Sequence, residues 1–231
     1  MNVRVGILVF ARYDSSRLPG KALRLLGGMT LLERVIRRAQ LCQLPVFLAT
    51  TERPSDDALV ALADGLGVPS YRGSSDRVLE RAVFAAEAFG LDAFVRLCGD
   101  RPLFPLDDLR DAVTVMHAES GSDETSPPDL ITTYVPDVTT RGLNTELVRT
   151  ATLRTILDRG PTADEQEHVT PHYYDYPDRF RIVRLTPTPT GYACPGFAVD
   201  TASDLTCLNG IFEVCDAIDL APTEADRIYR G

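Results

Sequence analysis

A chain of 231 residues, 44% hydrophobic and 25% charged, is long enough to bury a substantial core and has the make-up of a folded protein, not a disordered one. Its formal charge of −9 speaks against a nucleic-acid partner, because phosphate polymers are held by basic stripes. No apolar run approaches the roughly 20 residues that cross a bilayer, so no membrane partner is expected either.

Residues 3–10 (VRVGILVF) are apolar and β-rich and read as a first strand, not as a cleavable signal. A loop with Pro19, Gly20, Gly27 and Gly28 as turn residues follows. Residues 30–41 read as an amphipathic helix in which Thr30 and Glu33 have capping-box spacing. Pro45–Thr50 is a second buried strand, Ser55–Gly65 a helix and Gly67–Tyr71 a short third strand. Ser75 caps the next helix, which Gly90 ends. Residues 92–98 form a fourth strand, and Pro105 opens a helix to about Glu119. After a polar break at 120–129 come a strand at 130–134, a helix at 145–158, a partly helical stretch at 163–176 and a strand at 180–185. A Pro/Thr-rich turn, a short strand at 197–200 and a helix at 202–215 complete the reading. Alternating strands and helices in the first 120 residues define an α/β fold with a mostly parallel sheet. The break in alternation over 130–200 predicts an excursion that shapes a second substrate pocket or a dimer contact. There is no repeat and no internal domain boundary, so residues 1–231 are read as one domain.

The charge is uneven. Residues 1–40 carry eight basic side chains against two acidic ones, whereas the remainder carries 16 against 31. A basic start on an acidic protein suggests a small anionic ligand. Within it Arg34, Arg37 and Arg38 read as a solvated helix face. Every basic residue is arginine except Lys21. Coding bias explains the arginines, and a site that needs a compact ammonium explains the exception. The five cysteines (42, 98, 194, 207 and 215) are odd in number and lack CxxC spacing, which fits buried thiols in a reducing cytoplasm.

Four segments carry candidate chemistry. Ala11–Lys21 (ARYDSSRLPGK) directly follows the first strand, where open α/β sheets bind ligands. It is neither a Walker A loop nor a GxGxxG fingerprint. A phosphate-binding loop using Arg12, Arg17 and Lys21 and a solvated basic loop both fit its spacing. Asp100 ends the fourth strand within Cys98-Gly99-Asp100-Arg101-Pro102, as a metal-site carboxylate or as a turn cap. Asp200 precedes the 202–215 helix, and Asp204 fits a capping role. Asp100 with Asp200 makes a two-carboxylate Mg²⁺ site. His168 and His172 in EQEHVTPH invite a zinc reading, but Pro171 spoils the helical spacing and no HExxH is present. A polar lining for a hydroxylated substrate suits them better, and His117, near a helix end, reads as structural.

Taken in order, ARYDSSRLPGKAL, GGMTLLERVIRR, LATTERPSDD, YRGSSDRVLERAVFAA, VRLCGDRPLFP, RGLNTELV, EHVTPHYYDYPDRF and VDTASDL resemble the CTP-dependent sugar-acid cytidylyltransferases. The likeness is to the spore coat polysaccharide biosynthesis protein F (SpsF) branch, related to the acylneuraminate and 3-deoxy-manno-octulosonate enzymes. The resemblance implies a Rossmann-like, three-layer α/β/α nucleotide-diphospho-sugar transferase fold, a cytoplasmic homodimer, CTP as co-substrate and Mg²⁺ as cofactor. It implies that the loop Ala11, Arg12, Ser16, Arg17 and Lys21 holds CTP, with Ser75, Asp76 and Arg96 near the nucleotide. Arg12, Lys21 and Asp100 take the catalytic positions, and Asp100 and Asp200 the metal positions. Arg141, Glu146 and His168 fall in the part that shapes the site of a small acidic acceptor. Residues 1–120 would form the nucleotide-binding part, and 130–200 the acceptor and dimerisation part. Two features depart from the pattern: Arg101 follows Asp100, and CPGFAV precedes Asp200 without an arginine. The reaction so implied is transfer of CMP from CTP with release of pyrophosphate. A glycosyltransferase of similar fold is a second reading, weakened by the missing DxD motif, and a non-catalytic nucleotide-binding protein a third.

Overall fold

The computed structural model describes residues 3–120, 126–187, 189 and 191–231. The polar break at 120–129 therefore lies partly outside the described residues, as do Thr188 and Thr190 of the Pro/Thr-rich turn.

Strand β1 (Val5–Phe10) is buried along its whole length. A 3₁₀ turn at Lys21–Leu23 and a hairpin of β2 (Leu25–Leu26) and β3 (Met29–Thr30) lead to α1 (Leu31–Gln40). Then come β4 (Val46–Thr51), α2 (Asp57–Gly65), β5 (Ser70–Gly73), α3 (Val78–Ala88), β6 (Ala93–Cys98) and α4 (Leu106–Ser120). The second part adds β7 (Leu130–Thr132), β8 (Glu146–Arg149), α5 (Thr150–Asp158), α6 (Ala163–His168), α7 (Pro171–Asp175) and β9 (Ile182–Arg184). Helices α8 (Ala202–Val214) and α9 (Pro222–Arg230) complete it.

The main sheet has the order β5-β4-β1-β6-β8-β7-β9. Only β8 runs against the others, pairing antiparallel with both β6 and β7. Alternate side chains of β1 enter two cores. Ile7 and Val9 pack with α1, α4 and α8 on one face, and Leu8 and Phe10 with α3 and α5 on the other. The result is the expected three-layer α/β/α arrangement. Burying each such aliphatic or aromatic side chain contributes about 1.5–3 kcal/mol. From β1 the chain builds outward to β4 and β5, then returns to place β6 on the other side. The carboxyl ends of β1 and β6 thus flank a switch point, the usual ligand crevice of such sheets.

Several expectations need correction. The helix expected from Thr145 begins only at Thr150, because Glu146, Leu147 and Val148 are buried as β8. Residues 197–200 are not a strand. Their backbone instead makes isolated bonds to two loops, Phe197 N–H to the Arg141 carbonyl (2.8 Å) and Val199 N–H to the Asp100 carbonyl (2.9 Å). The third strand starts at Ser70, since Gly67 (φ 71°) and Val68 still close the end of α2. Ser74, not Ser75, receives the amides that precede α3, from Asp76 and Arg77. The hairpin and α9 were not anticipated. Arg34 and Arg38 are buried, and of the three expected surface arginines only Arg37 is exposed. Arg34 donates to the Leu26 carbonyl, pairs with Asp216 and lies 3.9 Å from the centre of the Phe212 ring. Arg38 donates to the carbonyls of Phe104 and Ile218, and burial lowers its pKa to about 10. Of the five thiols only Cys194 is buried, and the other four are partly exposed.

Thr30 does cap α1, its hydroxyl accepting from Glu33 N–H, while the Glu33 carboxylate pairs with Arg37. Thr30→Ala is expected to lower unfolding free energy by about 1 kcal/mol, read as a shift of the urea midpoint at constant slope.

Candidate active site

A cleft of about 640 Å³ opens over the carboxyl ends of β1 and β6. Its floor depends on close approach of the two strand ends. Gly99 N–H donates to the Phe10 carbonyl at 2.8 Å, and a Cβ at Gly99 would lie 3.0 Å from the Ala11 Cβ. The loop after β1 is pinned from below by Asp56, which is 1% exposed. Its carboxylate accepts from Tyr13 N–H (2.7 Å), Thr50 Oγ1 (2.9 Å), and Thr51 Oγ1 and N–H. Burial pushes this carboxyl up, but bonds from Thr51, Tyr13 and Thr50 outweigh it and hold it below the usual range.

That loop delivers Lys21 to the centre. Its ammonium donates to Asp100 Oδ2 at 2.6 Å, to the Val199 carbonyl at 2.8 Å and to Asp200 Oδ1 at 3.3 Å. Asp200 also meets Arg17 at 2.8 Å and Arg141 at 2.9 Å. Arg141 bridges on to Asp204 at 2.5 Å, and Asp204 forms a capping box with Thr201. Close passage of the Arg141 segment under residue 197 requires Gly142 (φ 92°), where a Cβ would come within 2.6 Å of the Phe197 backbone. Burial alone would raise the Asp200 carboxyl, but the charge of Lys21, bonds from Arg141 and Lys21, and the charge of Arg17 hold it low. Asp204 is likewise depressed, its desolvation outweighed by bonds from Arg141 and Thr201.

These depressed values have a signed consequence. They add stability that is fully present above the unfolded carboxylate pKa of about 3.9 and is lost as pH falls through the folded values. Melting temperature is expected to drop below about pH 4, and Asp204→Asn should flatten that acid limb while lowering the plateau.

The far side of the cleft is built on β6 and β8. Arg96 donates to Glu146 at 2.9 Å, Tyr174 donates to the same carboxylate at 2.8 Å, and Thr132 lies 3.1 Å from the Tyr174 hydroxyl. Glu146 is 3% exposed. Its burial raises the carboxyl and the Arg96 charge brings it below the usual range, while burial and Glu146 raise the Tyr174 phenol. Arg101 donates to the Asn144 carbonyl and side-chain oxygen (3.2 and 2.9 Å).

Of the residues singled out in the sequence, Ala11, Arg12, Ser16, Arg17, Lys21, Arg96, Asp100, Arg141, His168 and Asp200 all line this one cleft. Three do not. Glu146 sits behind Arg96, and Ser75 and Asp76 stand outside, Ser75 reaching it only through a carbonyl 3.4 Å from Arg12. The two histidines are separated in role: His168 faces the cleft, whereas His172 is paired with Glu165. Among the described residues no group of three or more His, Cys, Asp or Glu side chains is arranged to hold a metal ion. The sequence did not single out Asp56 or Arg81, or place Arg141 on Asp200. For Asp56 the available signal is an acid two residues after Pro54.

A crevice at this switch point, lined by cations around two carboxylates, suits a phosphate-rich ligand, and the fold is that of nucleotidyl-transferring α/β enzymes. The cytidylyltransferase family model matches residues 6–196, and the chain belongs to that family. It is 30% identical over 215 residues to the spore coat polysaccharide biosynthesis protein SpsF of Bacillus subtilis, spanning 89% of this chain and 85% of that one. It is 36% identical over 139 residues to the 3-deoxy-manno-octulosonate cytidylyltransferase of Stenotrophomonas maltophilia, spanning 57% of this chain and 54% of that one. The solved structure of a cytidylyltransferase from Leptospira borgpetersenii superposes with a TM-score of 0.90 at 25% identity, covering 99% of this chain and 94% of that one.

Proposed function

We propose that this cytidylyltransferase transfers CMP from CTP to a small acidic sugar or related acid, releasing pyrophosphate, in the assembly of a polysaccharide. The observation that carries the reading is the Lys21 ammonium held between Asp100 and Asp200 at the switch point, at the centre of a cleft with more cations than anions. An acceptor oxygen attacks the α-phosphorus of CTP, the bond to the bridging oxygen breaks, and pyrophosphate departs. Arg12, Arg17 and Lys21 bind the triphosphate and neutralise the charge that grows on its oxygens. Holding acceptor and phosphorus in line supplies several kcal/mol more. Arg101, Arg141 and His168 surround the acceptor, and Arg96, expected beside the nucleotide, is assigned to the acceptor as well, where Glu146 positions it.

Asp100 and Asp200 both meet the Lys21 ammonium, and their carboxylates are hard oxygen donors of the kind that suit Mg²⁺ beside it when completed by phosphate oxygens and water. When bound there, the ion supplies charge neutralisation at the phosphates. Residues 1–120 serve the nucleotide, and residues 130–200 the acceptor and a homodimer contact, in a cytoplasmic enzyme.

The test is product analysis with CTP, Mg²⁺ and a panel of acidic sugars. Pyrophosphate with a CMP-linked product is the expected result. Release of a nucleoside diphosphate from a sugar nucleotide would support a glycosyltransferase instead. CTP binding without pyrophosphate across the panel would leave a binding protein. A labelled nucleotide retained on denatured protein would rule out direct transfer.

A further inference from the structure

Arg81 is the most deeply buried cation that lines the cleft, at 3% exposed, and the functional reading above leaves it without a role. It projects from α3 at the end of the cleft formed by Phe10, Ala11, Arg12 and Val78. Its NH1 donates to the Ser74 carbonyl at 2.6 Å. Its NH2 has no partner among the described residues, and its Nε is buried without an acceptor. The stem is held against Gly73, where a Cβ would stand 3.1 Å from the Arg81 Cγ. The side chain is thus packed in place with unused donors. Burial first, and then the neighbouring Arg12, bring its pKa down to about 10, so the group remains a cation at neutral pH.

The surroundings indicate what those donors meet. The carboxylates and Lys21 mark the position of the phosphates in the proposed function, and Arg96, Arg101 and Arg141 mark the acceptor side. The nucleoside is left the α3 end, where Ala11 and Val78 offer apolar surface suited to a flat ring. A guanidinium only donates. Cytosine presents two adjacent acceptors, O2 and N3, whereas N3 of uracil carries a hydrogen. A fixed donor that meets N3 favours the first base and opposes the second, and a site built around such a bond rejects the wrong partner by leaving groups unpaired.

We propose that Arg81 reads the cytosine edge and selects CTP over UTP. This rests on the functional reading above. The test is calorimetric binding of CTP, UTP and inorganic tripolyphosphate, each with Mg²⁺, to the unaltered chain, Arg81→Met and Arg81→Lys, with melting temperatures alongside. The unaltered chain is expected to prefer CTP. In both variants CTP binding should weaken by about ten- to a hundredfold, with UTP and tripolyphosphate changed less than about threefold. Arg81→Lys keeps the charge without the planar fork, so it answers the question should Arg81→Met fail to fold. Parallel loss of all three ligands would make Arg81 a phosphate ligand and overturn the proposal, and so would an unchanged CTP/UTP ratio in Arg81→Lys. Equal binding of CTP and UTP by the unaltered chain would overturn the functional reading itself.

Discussion

Lys21→Ala is expected to lower pyrophosphate release at saturating CTP by about a hundred- to a thousandfold, the usual loss when a preorganised donor to developing charge is removed. The ammonium sits in a gap fitted to it, 2.6 Å from Asp100, 2.8 Å from the Val199 carbonyl and 14% exposed. Without it two carboxylates share that gap, and like charges at short range raise the pKa of one of them. A protonated aspartate there would be a poorer ligand for the proposed Mg²⁺. Lys21→Arg should not restore the rate, because a planar fork is wider than an ammonium. The effect should fall mainly on kcat, with a smaller change in KM for CTP. Near-normal turnover of Lys21→Ala at saturating CTP would remove Lys21 from the chemistry and leave it as a brace between two aspartates.

Glu146→Ala is expected to cost about 3–5 kcal/mol of folding stability, because it strands the Arg96 cation in the cleft wall. Glu146 accepts from both Arg96 and Tyr174 and is nearly inaccessible. Replacing both ends of the pair, Glu146→Leu with Arg96→Met, should recover much of the loss, since two well-packed apolar groups need no charge compensation. Urea denaturation of the two single variants and the double variant measures this as a coupling energy. The resemblance implied an acceptor-binding role for Glu146. A Glu146→Ala variant of nearly unchanged stability but raised acceptor KM would reinstate that role. The expected pattern is the reverse, with the kinetic defect following from a displaced Arg96.

The residues legible in the sequence were those fixed by local order. Asp100 comes just after an apolar strand and Lys21 closes the loop that follows another, so the position of each near a carboxyl end can be read from chain order alone, and the sheet class follows from the same alternation. Features that depend on distant partners could not be read. The amphipathic pattern of α1 suggested solvent for Arg34 and Arg38, yet backbone carbonyls of Leu26, Phe104 and Ile218 made burial possible. β8 resembled the start of a helix because Glu146-Leu147-Val148 has no alternation when both faces are covered. Arg141 was placed with the acceptor, and its bond to Asp200 spans 59 residues. The pattern puts Asp200 on a strand, but it stands in an irregular segment anchored by single bonds, still in contact with Lys21.

The one reversed strand has a consequence for how such an enzyme can change. Because β8 runs against β6 and β7, its amino end lies at the same edge of the sheet as their carboxyl ends. The connection from Thr132 to Glu146 therefore begins and ends at the mouth of the cleft, and carries Tyr134, Arg141 and Asn144 without crossing the sheet. A parallel strand in that place would need a crossover through the far layer. Here the length of the segment can change without moving β1 and β6, provided Gly142 and Arg141 keep their contacts with Phe197 and Asp200. One wall of the cleft thus rests on strands in fixed register, and the other on a segment whose length the sheet does not set.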